Sequence, residues 1–177
     1  MRTRYHPATR WLHWISAVAV LTTIPVALSM TRIDDGTSKD ALYEIHKSIG
    51  LVVFLLAGIR ICARLILRPT PQIASLSSAQ KLASTATQHL LYVLLLAIPS
   101  LGYLGTAMCC APVMLFWSVP LPTIINGTDH LAEFILNMHM LSSYLMTALI
   151  ALHVAAALYH FVVRRDGVMA RISLFGS

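Results

Sequence analysis

The sequence predicts an all-α membrane protein, a four-helix bundle with both termini cytoplasmic, and three observations carry that reading. Apolar side chains make up 57% of the 177 residues and charged ones only 11%, against about 25% charged in an ordinary soluble domain. The mean hydropathy is +0.72, and long uncharged runs alternate with short charged segments. The charges of those segments also sort by sign from one loop to the next. At roughly 20 residues per span, the chain forms a single transmembrane domain, 1–177, with no room for a large extramembrane one. No Gly-rich phosphate loop or nucleotide-binding fingerprint occurs. The net charge of +6 belongs to membrane topology, and no nucleic-acid partner is expected.

Span one is expected over 11–31, because Trp11 to Thr31 carries no charge and at about 1.5 Å per residue crosses a hydrocarbon core of about 30 Å. Trp11, His13 and Trp14 in its first turn, with no small-x-small cleavage pattern before the acidic loop, mark it as mature structure and not a secretion signal. Span two, 45–66, holds Arg60 and Arg64 near its end, where long side chains snorkel towards the headgroups. Arg68-Pro69-Thr70-Pro71 then stops the helix. Leu82 to Thr128 contains no Asp, Glu, Lys or Arg, but Pro112, Pro120 and Pro122 break its second half. Span three is therefore 87–108, followed by an apolar interfacial loop in which Phe116 and Trp117 suit the headgroup level. Span four, 134–163, lies in an uncharged run of about 45 Å if wholly helical, so it tilts or protrudes.

Arg2, Arg4, Arg10, Arg68, Lys81, Arg164, Arg165 and Arg171 then fall on one side of the membrane, and Asp34, Asp35, Asp40, Glu44, Asp129 and Glu133 on the other. The positive-inside rule makes the basic side, with both termini, cytoplasmic. A fifth span would strand the C-terminal arginines outside. Cys62, Cys109 and Cys110 show no zinc spacing and no covalent-haem motif. Since neighbouring cysteines rarely pair, all three are expected to be packing residues.

Eight histidines in so apolar a chain require a function, because ionisable groups within spans are costly. A single one is ordinarily a hydrogen-bonded packing residue; the set does not fit that description. His139 and His153, fourteen residues apart, share one face of span four at depths about 21 Å apart. His13 opens span one at the inner edge and His46 opens span two at the outer edge, so each depth receives two imidazoles. Two neutral imidazoles facing across a bundle are the axial set of a low-spin haem iron, whereas zinc or copper gathers three or four ligands at one depth. Two haem b groups are expected, one on His13 with His153 and one on His46 with His139.

His160 is the reserve for the inner pair. Arg60, on the face of His46 but at the inner depth, pairs with a haem propionate or snorkels. His89 reaches a propionate or lines a quinone pocket, while His6 and His130 receive no role. Met146 and Phe54 are expected in packing, and Gly50, Gly58, Gly102 and Gly105 leave room for macrocycles or close helix contact.

Arg10-Trp11-Leu12-His13-Trp14, Ile45-His46-Lys47-Ser48-Ile49-Gly50, Arg60 with Arg64, and Leu152-His153 through Tyr159-His160 together resemble the bacterial cytochrome b561 family over essentially the whole chain. The resemblance implies a four-helix inner-membrane bundle with two b haems and ligands at His13, His46, His139 and His153. It also implies that some members oxidise periplasmic superoxide and pass the electron to ubiquinone.

The expected function is electron transfer between a periplasmic donor, superoxide or a redox protein, and ubiquinone, with no catalytic base. Protons for a reduced quinone come through His89 or His160. The outer loops hold six of the seven acidic residues beside Arg32, Lys39 and Lys47, so donor and direction stay open. The alternative is a haem-carrying anchor subunit that relays electrons from a dehydrogenase or hydrogenase, docked at 117–126. A transporter is disfavoured, since the inner spans contain no Asp or Glu.

Overall fold

The computed structural model describes residues 4–67, 77–110, 112–122 and 127–175. Four long helices dominate it: α1 Pro7–Met30, α2 Thr37–Ile66, α3 Ser78–Cys109 and α4 Asp129–Tyr159. All four are long and apolar enough to span a bilayer, and the chain is a multi-pass membrane protein. Each helix begins ahead of its expected span, at Pro7, Thr37, Ser78 and Asp129, and side chains cap the first turns of α1, α3 and α4, whereas α2 starts after Gly36 without one. His6 accepts from the Ala8 N–H ahead of Pro7 at the first helical position, Ser77 and Gln80 form a reciprocal capping box, and Thr128 accepts from the Leu131 N–H. Each cap satisfies a donor that the first turn would leave without a partner.

Pro25 and Pro99 lie inside α1 and α3. Spanning helices tolerate proline where neighbouring groups re-satisfy the backbone. Ser16, Thr23, Ser100 and Ser143 return their hydroxyls to the carbonyls of Leu12, Ala19, Leu96 and His139.

Helix α3 packs along α4, α1 along α2, and α2 along α3, while α1 and α4 stay further apart. The core, Val53, Ala57, Leu94, Leu95 and Met146, sits at mid-bundle. Large apolar side chains such as Val18 and Leu141 are instead about 60% exposed, at 63% and 60%, as a lipid-facing surface requires. Met146 is in the packing as expected; Phe54 faces outward.

The two chain ends meet at one end of the bundle. Trp14 Nε1 donates to the Ile172 carbonyl at 3.0 Å, Arg10 Nη1 to that of Ser173 at 2.9 Å, and the Tyr5 N–H to that of Arg171 at 3.1 Å. The opposite end carries a small antiparallel hairpin, β1 Met114–Leu115 and β2 Val119–Pro120, where the sequence implied only an interfacial loop. Its loop is the three residues Phe116, Trp117 and Ser118: Phe116 and Trp117 take left-handed φ of 44° and 58°, and the Ser118 N–H donates to the Leu115 carbonyl at 3.0 Å. Ser48, 1% exposed, accepts the Phe116 N–H at 2.8 Å and pins the hairpin to α2.

The cysteines correct the sequence reading. Cys109 and Cys110 form a disulfide, made where Cys110 leaves helical geometry at the end of α3, and Cys62 is an exposed free thiol, not a core residue. Arg68, Pro69, Thr70 and Pro71 lie outside the described residues; α2 has already ended at Ile66, with Leu67 extended.

Candidate functional site

Helix α4 presents His139 and His153 on one side at two levels, and each meets a histidine from a different helix. His139 faces His46 of α2 with ring centroids 6.0 Å apart and planes at 81°. His153 faces His13 of α1 at 6.3 Å and 59°. Imidazole nitrogens bind a metal such as zinc at about 2.0–2.1 Å, so two such bonds in line plus roughly 1 Å from nitrogen to ring centre on each side set centroids at about 6 Å. Both pairs have that spacing. Among the described residues no group of three or more His, Cys, Asp or Glu is placed to hold a metal ion, and each level offers two imidazoles. That donor set suits a haem iron, which brings its own four nitrogens.

At the hairpin end, the His139 Nδ1–H donates to the Ile98 carbonyl at 2.8 Å. Gly102 lies directly beneath the ring: a Cβ there would stand 2.9 Å from His139 Nδ1. Opposite, His46 Nδ1 is buried without a close hydrogen bond. Glu44 is ion-paired with Lys47, and its Oε2 is buried without a partner. Lys39 pairs with Asp35 at 2.7 Å, and this contact draws the Asp35 carboxyl below its ordinary pKa. Both lysines near the mouth of this end are therefore matched by local carboxylates.

At the terminus end, Arg60 Nη2 lies 3.4 Å from His13 Nδ1, a long contact. Arg60 and Arg64 both stack over Tyr92, at 5.1 and 5.6 Å from its centroid. Trp14 stands edge-on to His13 at 5.4 Å. His160, seven residues beyond His153, opens a π-helical turn, His160–Arg164, and its Nδ1 lies 2.6 Å from Asp166 Oδ2. Burial acts to raise the Asp166 pKa, but hydrogen bonds from His160 and the Val168 N–H, with the Arg164 charge, outweigh it and hold the carboxyl below its usual value.

The structure thus brings together His13 with His153 and His46 with His139, and sets Arg60 beside the first pair. His89 is exposed on α3 and makes no hydrogen bond to that pair among the described residues; His130 is exposed. Gly105 admits Leu136, whose Cδ2 would stand 2.7 Å from an added Cβ, whereas Gly50 and Gly58 have nothing within 4 Å.

Sequence reasoning passed over the Ile98 carbonyl, Tyr92, Ser48 and the His160–Asp166 pair. Only Asp166 left a trace: it is the one acidic residue on the basic side of the chain.

Comparison with known proteins identifies the family. The family described as prokaryotic cytochrome b561 matches residues 4–173. The chain is 29% identical to cytochrome b561 homolog 2 of Escherichia coli (strain K12), over 96% of this chain and 90% of that protein. It is 25% identical to cytochrome b561 homolog 1 of the same strain, over 96% of each. It is 24% identical to a Yersinia pestis protein named "Probable superoxide oxidase CybB", over 97% of each. A match across nearly the whole chain, on a bundle of four apolar helices with facing histidine pairs, means that this chain belongs to the prokaryotic cytochrome b561 family of membrane proteins that bind b-type haem.

Proposed function

We propose that the chain is a dihaem electron carrier of the bacterial inner membrane, passing electrons between a periplasmic donor and ubiquinone, with both termini cytoplasmic and the hairpin end periplasmic. His46 with His139 would hold one haem b and His13 with His153 the other. The observation that carries this reading is the two facing imidazole pairs, at centroid separations of 6.0 and 6.3 Å, at levels about 21 Å apart along α4.

Bound haem supplies one-electron chemistry; the chain supplies position and electrostatics. The Ile98 carbonyl holds the proton of His139 at Nδ1 and would leave the other ring nitrogen free to hold haem. The Arg60 guanidinium is near enough to His13 to neutralise a propionate, and the Tyr92 face keeps the Arg60 and Arg64 charges within the bundle. His89 remains a candidate for a propionate or quinone contact. His160, backed by Asp166, would hand a proton to a reduced quinone at the inner end, and the ring that faces His13 is that of His153 and not of His160. Its role as reserve axial ligand is set aside on that ground.

Superoxide as the donor has the similarity to the Yersinia pestis protein in its favour. Against electrostatic capture of an anion stands the pairing of Lys39 and Lys47 with Asp35 and Glu44. The anchor-subunit reading has one structural argument, the exposed Phe116, Trp117 and Val119 of the hairpin.

Haem quantitation per mole of purified protein, with a reduced-minus-oxidised spectrum, tests the proposal. Two non-covalent b haems are expected. One haem, or none, overturns it.

A further inference from the structure

Of the four imidazoles, His139 is the one whose Nδ1 is held at close range by the main chain among the described residues. The Ile98 carbonyl, 2.8 Å away, can only accept. Nδ1 therefore carries the proton and Nε2 keeps the lone pair, a tautomer choice that a free imidazole leaves open. Gly102, one turn along α3, makes this possible. An added Cβ would stand 2.9 Å from His139 Nδ1 and 3.0 Å from Cε1, so any larger residue would push the ring off the carbonyl. Ser143 Oγ donates to the His139 carbonyl at 2.7 Å and anchors the same residue from its own helix.

The other three rings differ. His46 Nδ1 is buried without a close hydrogen bond, although the Thr23 main chain interacts with that ring; His13 Nδ1 faces the Arg60 guanidinium, and His153 makes no ring hydrogen bond among the described residues.

We propose that the Ile98 carbonyl and Gly102 are positioning groups that lock His139 as the Nδ1–H tautomer, and that this bond makes the hairpin-end haem the lower-potential member of the pair. The inference rests on the dihaem reading above. A carbonyl accepting from Nδ1–H raises the basicity of the ligating nitrogen, and a more basic ligand favours the oxidised, more positive iron, which lowers the potential. At the other end the Arg60 guanidinium adds positive charge beside His13, which opposes the oxidised state. One electron arriving at the hairpin end then runs downhill to the terminus end, with no bond made or broken and no ligand proton moved. The bundle is thus biased to deliver electrons towards the side of the chain termini.

Redox titration of the purified holoprotein in nanodiscs, followed optically and by electron paramagnetic resonance, tests this, with each signal assigned in His46→Ala and His153→Ala. In the unaltered protein the hairpin-end haem should titrate at the lower potential. Gly102→Ala should shift that haem's resonance and raise its potential, or lose that haem alone where the ring cannot be seated. Gly105→Ala is the control: its Cβ would meet Leu136 at 2.7 Å in the same α3–α4 contact without touching His139, and both haems should titrate as in the unaltered protein. Equal potentials or the reverse order overturn the proposal. So does a Gly102→Ala protein that titrates unchanged, or a Gly105→Ala protein that shifts the hairpin-end haem equally. Should Gly102→Ala fail to fold, the order of potentials in the unaltered protein still decides. A haem count other than two refutes the dihaem reading itself, and is seen before any titration begins.

Discussion

His160 Nδ1 lies 2.6 Å from Asp166 Oδ2, and Arg164 Nε reaches the same oxygen at 3.3 Å. Two cationic or proton-bearing groups thus converge on one carboxylate just beyond α4, where Arg165 takes a left-handed φ of 50°. Asp166 ties the π-helical turn to the C-terminal segment, which in turn is held on α1 by Trp14 and Arg10.

Because Asp166 is more acidic in the folded chain than in the unfolded one, its contribution is present above the ordinary carboxylate pKa of about 3.9 and disappears as pH falls through the lowered folded value. Hydrogen exchange in residues 166–175 should therefore be slow at pH 7 and rise below about pH 4. Asp166→Asn should raise it several-fold at pH 7, in line with about 1 kcal/mol for a partly exposed ion pair. Unchanged exchange in that variant would show that Asp166 does not hold the segment.

Alanine at either member of a pair should remove one haem and spare the other. His46→Ala and His139→Ala are expected to lose the hairpin-end haem, His13→Ala and His153→Ala the terminus-end one, and His160→Ala to keep both low-spin signals. Haem content with low-temperature resonance spectra reads this out. Loss of the inner haem in His160→Ala with its retention in His153→Ala would exchange those two roles.

Both termini are expected in the cytoplasm, since eight basic residues collect on their side of the bundle and the positive-inside rule follows such a bias. A green fluorescent reporter fused after Ser177 should fluoresce and an alkaline phosphatase fusion should be inactive. The opposite pattern inverts the topology.

Lys39 and Lys47 carry their own counter-charges, so the hairpin end offers superoxide little net attraction. Its reduction of the haems should change less than about twofold between low and physiological salt, and Lys47→Glu should leave haem content intact. A pulse experiment with a tenfold fall on adding salt, repeated in Lys47→Glu, would instead establish steered capture of superoxide.

The Cys109–Cys110 disulfide leaves one thiol of the three cysteines. Alkylation of the denatured, unreduced protein should modify Cys62 alone, and prior reduction should expose all three. Three reactive thiols without reductant would mean that the bond is not formed.

What the sequence by itself determined was the architecture and the levels of the histidines. Uncharged runs, proline stops and charge bias are one-dimensional signals of the bilayer. The fourteen-residue spacing of His139 and His153 follows directly from helix geometry, so the facing of His13 with His153 and of His46 with His139 was legible before any coordinates. Tertiary structure alone decided which atom holds each ring. Every residue owns a carbonyl, so nothing in the side chain of Ile98 marks it as the acceptor for His139, and Gly102 is distinguished from Gly50 or Gly58 only by the ring packed over it. The same holds for the hairpin, whose left-handed Phe116 and Trp117 lack the usual glycine or asparagine. It holds too for Lys47, whose charge is cancelled by Glu44 one helical turn away. These features arise where separate segments meet, and the free energy that selects them comes from contacts between residues distant in sequence or from side-chain rotamers, neither of which a linear pattern records.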